Sequence, residues 1–250
     1  MNSVGSTKRS TLRVTMFCIR KTLKRNWLFP FVLVWLMATD AVACEQVRAA
    51  IDIGSTTTKM VVARVNYCEN RILEILAPAP GMKLERKVEY SKHTVIPSDG
   101  GTAFVFTDEV VAQGLAALQE LKAIALIHGA ETFSAVATSA FRSEGRPLDP
   151  NHLRTFLGRI REEIGLRVAV IPQDREARIG FLAAAVKAGI PRERLVVWDI
   201  GGGSMQISYW DPEADSVAAY LGNFANEAMH RLVREVAEVG CNRIRLPVPV

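Results

Sequence analysis

Ile51-Asp52-Ile53-Gly54-Ser55 and Trp198-Asp199-Ile200-Gly201-Gly202 are two copies of one local pattern, about 150 residues apart. In each, an apolar run delivers an aspartate and a glycine turn follows. Working outward, residues 47–53 read as a buried strand, 60–65 as a second and 72–76 as a third, which predicts an antiparallel meander with short turns. Residues 195–200, 205–210 and 217–221 repeat that series. Duplication of this kind predicts two lobes that face a central cleft.

The chemistry of the turns points to an anion. Glycine lets the backbone approach a phosphate closely, and the N–H groups of such a turn form an anion cradle. Gly54 is followed by the hydroxyls of Ser55, Thr56, Thr57 and Thr58 and by the cation of Lys59; the second turn offers Gly201, Gly202, Gly203 and Ser204. A carboxylate beside phosphate is repulsive without a cation between them. Asp52 and Asp199 facing one cleft therefore suit Mg²⁺, or Mn²⁺ in its place, held by carboxylates, phosphate oxygens and water.

Between the turns, Thr107 caps a helix whose apolar positions Val111, Leu115, Leu118, Leu121 and Leu126 recur at helical spacing. Residues 132–137 form a strand. Asp149-Pro150 opens a helix that runs to Ile164 and stops at Gly165. Residues 167–171 form another strand, and a helix from about Asp174 ends at Gly189. Residues 77–101 read as loop and 225–238 as a helix. The fold class expected is α/β. The order βββαβαβα is that of a ribonuclease H-like lobe with a mixed sheet, as in the actin, sugar kinase and heat-shock chaperone superfamily. The division expected is 1–43 leader, 44–177 first lobe and 178–250 a partial second lobe, because the sequence reaches Val250 before the second lobe repeats its later strands.

Four segments in order resemble the exopolyphosphatase/guanosine pentaphosphate phosphohydrolase (Ppx/GppA) family. Residues 50–59 and 197–204 resemble its two phosphate motifs, Ala137-Thr-Ser-Ala-Phe-Arg142 its arginine segment, and Gln173-Asp-Arg-Glu-Ala-Arg178 its Glu-Ala-Arg segment. The resemblance implies Glu176 as the general base that activates water, and Arg142 as a clamp on phosphate oxygens. It implies an exopolyphosphatase-like hydrolase that releases terminal phosphate from polyphosphate or a related phosphoanhydride. The sequence departs from the family at Thr56, where Asn is usual, and at Met205-Gln206, where Thr-Glu is usual. The alternative is a non-catalytic phosphate or polyphosphate binder of the same descent. A third reading, an ATPase activator of the dehydratase type, needs iron–sulfur cysteines that this spacing does not supply.

The leader has a basic stretch ending at Arg25, an apolar run over 27–38, and Ala41-Val42-Ala43 before Cys44, the build of a secretory signal peptide. Met16 as the start would give a signal of more ordinary length, and an uncleaved anchor is the alternative. Of 31 basic and 26 acidic residues, seven and one lie in 1–43, so the remainder carries a formal charge of −1. The basic balance therefore belongs to the leader and argues against a nucleic-acid surface on the body. Cys44 also fits a lipoprotein acceptor site. Cys68 and Cys241 are left either to pair in an oxidising compartment or to stay as buried thiols, and no cysteine pair has zinc-site spacing. The partners expected are polyphosphate or a phosphate-rich small molecule, a membrane through the signal or a lipid on Cys44, and a second copy as a homodimer. The location expected is periplasmic or otherwise extracytoplasmic. His93 and His152 read as loop and helix-surface residues, and Asn226, Glu227 and His230 carry no assigned chemistry.

Overall fold

β1 (Glu45–Ile53) pairs antiparallel with β2 (Thr57–Asn66), and β2 with β3 (Arg71–Ala77), which is the expected meander. The computed structural model describes residues 44–97, 102–142, 148–223, and single residues from Ala225 to Arg234. The leader, Cys241, Asn226 and Glu227 lie outside the described residues. So does most of the 225–238 helix, of which Met229, His230, Val233 and Arg234 are described and helical.

Two short strands arise in the stretch expected to be loop. β4 (Glu85–Lys87) pairs with β2, and β5 (Thr94–Val95) pairs with β6 (Val105–Phe106). Each is two or three residues long, too short for an alternating pattern to register. Helix α1 (Asp108–Ile127) starts at Thr107, whose side chain accepts the Val110 N–H. It buries Val111, Leu115, Leu118 and Leu121 as its spacing predicts. Leu126 is the exception: it lies in the last turn and is exposed. By length and composition α1 could cross a bilayer, but here its apolar face lies in the core.

β7 (Thr132–Ala137) adds parallel to β1, and β8 (Val168–Val170) parallel to β7, giving the order β3-β2-β1-β7-β8. Between them α2 (Pro150–Arg159) is capped by Asp149, runs on through a π turn over Ile160–Ile164, and ends at Gly165 in the left-handed region at φ 73°. His152 does more than decorate the helix surface. Its Nε2 accepts the Phe106 N–H at 3.2 Å, and burial pushes its pKa down, which keeps it a neutral acceptor. Tyr90, Phe106, Phe141 and Phe156 pack as an aromatic cluster. Phe141 is thereby fixed in the core and sets the position of its neighbour, Arg142.

α3 (Gln173–Ala188) follows and packs against the second sheet, β11-β10-β9, made of β9 (Val196–Ile200), β10 (Met205–Asp211) and β11 (Ser216–Gly222). The register repeats that of the first meander: Asp52 opposes Lys59, and Asp199 opposes Gln206. The two sheets differ in their cover. Ala49, Ile51 and Ile53 are 1%, 2% and 0% exposed, whereas their counterparts Val196, Trp198 and Ile200 are 66%, 64% and 43% exposed. In the first sheet, α1 and β7 supply that cover.

Cys44 and Cys68 form a disulfide with Cα atoms 5.5 Å apart. The sequence leaves Cys68 either to pair with Cys241 or to stay a buried thiol, and the bond to Cys44 replaces both alternatives. The register explains it: Glu45 opposes Asn66 and the Tyr67 N–H donates to the Cys44 carbonyl, so the strand ends bring the two thiols together. The bond closes a separation of 24 residues. Cys68→Ser is expected to cost about 3.5 kcal/mol by the loop-entropy relation, measured by urea denaturation; an unchanged midpoint would show that hairpin pairing alone holds the strands.

Candidate active site between two glycine turns

The two glycine turns share one hydrogen bond: Gly54 N–H donates to the Thr57 carbonyl at 3.0 Å, and Gly201 N–H to the Ser204 carbonyl at 2.9 Å. They face each other. A Cβ on Gly202 would lie 3.2 Å from Thr56 Cγ2, and one on Gly203 would lie 2.5 Å from Ser139 Oγ and 3.1 Å from Ser55 Oγ. Glycine suits both positions because the opposing turn, and Ser139 beside it, crowd the space a side chain would fill. β1 and β9 deliver the turns, and Ser91 N–H fixes the first by donating to the Ser55 carbonyl.

A cavity of about 1350 Å³ lies at this junction. Thr58 apart, the residues expected at the site line it: Asp52, Gly54, Ser55, Thr56, Thr57, Lys59, Arg142, Glu176, Asp199 and Gly201 to Ser204. Ser55 carries a direct sign of a missing partner. It is 4% exposed, and among the described residues its Oγ has no hydrogen-bond partner, an unfavourable state for a buried hydroxyl unless a ligand completes it. Thr58 departs from expectation. Strand alternation turns it inward with Met60 and Val62, and it is fully buried away from the cavity.

Arg142 links three segments. Its Nη1 donates to Glu176 Oε2 at 2.6 Å and to the Ile171 carbonyl at 3.2 Å, and its Nη2 donates to Ser204 Oγ at 3.1 Å. The Arg142 and Glu176 side chains are 5% and 21% exposed, so the base candidate is screened but still reaches the cavity. Burial pushes the Glu176 carboxyl above its ordinary value, Arg142 opposes this, and Asp52 and Asp199 reinforce it. Burial also raises Asp52, with Lys59 opposing and Asp199 adding to the rise.

Three carboxylates thus line one cavity and repel one another. Among the described residues, no group of three or more His, Cys, Asp or Glu is placed to hold a metal by itself. Mg²⁺ needs no such cage; one or two carboxylates suffice when phosphate oxygens and water complete the shell. Asp52 and Asp199 fit that requirement, and the Asp199 repulsion that adds to the burial-driven rise of Asp52 is the kind a cation relieves. Gln206 does not line the cavity. It is buried, and its Nε2 donates to Ser204 Oγ at 3.2 Å.

Sequence reasoning missed several lining residues: Lys83, Ser91 and Lys92 after β3, Ser139 in the arginine segment, and Asn223 and Arg234 beyond β11. Ser139 stands within the quoted Ala137–Arg142 stretch, where its hydroxyl was the available signal. The lysines come from a segment with no local pattern.

The model of the Ppx/GppA phosphatase family matches residues 82–233. Exopolyphosphatase 1 of Mycobacterium bovis is 31% identical over 171 residues, covering 68% of this chain and 44% of that protein. Exopolyphosphatase 1 of Mycobacterium leprae is 36% identical over 102 residues, covering 41% and 28%. The chain spans less than half the length of these curated relatives. Among solved structures, a Ppx/GppA family member from Aquifex aeolicus superposes with TM-score 0.55 at 22% identity, covering 77% of this chain and 54% of that one. An exopolyphosphatase from Cytophaga hutchinsonii gives 0.53 at 22%, covering 76% and 53%. These likenesses show the mixed-sheet α/β fold of the Ppx/GppA structures.

Proposed function

The chain belongs to the Ppx/GppA phosphatase family, and from that premise we propose that it hydrolyses the terminal phosphoanhydride of polyphosphate or a related phosphate chain. The observation that carries the reading is the convergence of both glycine turns, Arg142 and Glu176 on one cavity, with an unsatisfied Ser55 hydroxyl inside it.

The terminal phosphoryl group lies between the turns, its oxygens accepting from backbone N–H groups and from the Ser55 and Ser204 hydroxyls. Arg142 and Lys59 offset its charge. Asp52 and Asp199 would hold a Mg²⁺ ion, with Mn²⁺ as a substitute, which when bound neutralises charge on the phosphate oxygens. Glu176 takes the proton of the attacking water, the new P–O bond forms as the bridging P–O bond breaks, and the shortened chain leaves with the bridging oxygen.

Export accompanies this reading. Disulfides persist in oxidising compartments, and the Cys44–Cys68 bond sits immediately after the expected cleavage point at Ala43. A sulfur in that bond cannot also carry a lipid thioether, so the reading favours a clipped periplasmic protein over a lipoprotein anchored at Cys44.

The test is phosphate release from polyphosphate by the purified protein, with Mg²⁺ and with chelator, across pH. Glu176 acts only when ionised, so activity should fall as the pH drops through its raised pKa. The acid limb should therefore lie above the ordinary glutamate value of 4.5. Gln206, which offers no carboxylate, favours a second reading as a binder without catalysis. Tight polyphosphate binding with no phosphate released under any metal condition would select that reading.

A further inference from the structure

Ser204 Oγ accepts two hydrogen bonds, from Arg142 Nη2 at 3.1 Å and from Gln206 Nε2 at 3.2 Å. A hydroxyl has two acceptor lone pairs and one proton. With both lone pairs engaged, the proton is left to be donated. Ser204 is 3% exposed and lines the cavity. Among the described residues its Oγ serves as an acceptor in both of its hydrogen bonds, which leaves its proton available to a ligand in the cavity.

We propose that Gln206 is a positioning residue that makes Ser204 an obligate hydrogen-bond donor to a bound phosphate oxygen. It acts through the serine, since it does not itself reach the cavity wall. The amide gives an N–H to Ser204 and so frees the serine's proton for the ligand. A carboxylate at 206 has no N–H to give. It would accept the Ser204 proton and turn it away from the cleft. Gln206 therefore shifts phosphate binding from reliance on a divalent cation toward direct donation by the protein.

This inference rests on reading the cavity as a phosphate site, and binding without catalysis separates the two. Calorimetric titration of short-chain polyphosphate in chelator should show Gln206→Glu binding roughly ten- to a hundredfold more weakly than the parent, the scale of one hydrogen bond to a charged group. Gln206→Met keeps the serine's proton free and should lose about threefold or less on the same scale. In a Ser204→Ala background, Gln206→Glu should cost little more, because the two side chains act as a unit. Unchanged binding by Gln206→Glu, an equal loss in Gln206→Met, or additive losses in the double variant would each overturn the proposal. If the parent protein binds no polyphosphate with or without Mg²⁺, the phosphate reading fails and this inference falls with it.

Discussion

Glu176→Gln is expected to cut phosphate release by about 10²–10⁴-fold, the contribution of a positioned general base, while polyphosphate binding persists. The substitution preserves size and the capacity to accept from Arg142 Nη1, which now lies 2.6 Å from Glu176 Oε2. It removes the ability to take a proton from water. Binding is retained because the turns, Lys59 and Arg142 remain. The measurement is steady-state phosphate release beside a binding titration. Retention of more than a tenth of the parental rate would mean that another group deprotonates the water.

Arg142→Met should be the most damaging single change to the fold and the site together. The guanidinium supplies hydrogen bonds to Glu176, the Ile171 carbonyl and Ser204. Its side chain is 5% exposed, so no water stands ready to replace it. Removing one partner of a buried pair leaves the other charge uncompensated, at a typical cost of about 3–5 kcal/mol. Glu176 retains some access to the cavity, which places this case near the low end, about 3 kcal/mol. Phosphate release should fall below detection, because the clamp and the base's anchor are lost together. Urea denaturation and the release assay check this. A loss under about 1 kcal/mol, the range of an exposed pair, with activity retained would show that the three segments are held by packing alone.

The parts of the site legible in the sequence were those with a local signature. The Asp-Ile-Gly turns could be read because each ends an apolar strand, and their duplication pointed to opposed loops; the structure places them in contact. Arg142 and Glu176 entered through resemblance, and the fold brings them to within hydrogen-bonding distance. What escaped depended on register or on distant segments. Thr58 was grouped with its neighbouring hydroxyls although period-two alternation turns it into the core beside Met60. The Cys44–Cys68 bond required knowing that Glu45 opposes Asn66. Gln206 stood out in the sequence only as a departure from the family's Thr-Glu, and its hydrogen bond to Ser204, two residues away, required the side-chain placement. Lys83 and Lys92 reach the cavity from a stretch that carries no periodic pattern at all.

The central claim is that the Gly54 and Gly202 turns grip one tetrahedral oxyanion within reach of Glu176. Anomalous diffraction from crystals soaked in tungstate, a heavy stand-in for phosphate, tests it most directly. The account predicts a peak between the two turns, contacted by Ser55 Oγ and Ser204 Oγ with Glu176 alongside. A fully occupied peak elsewhere, with none between the turns, would contradict it.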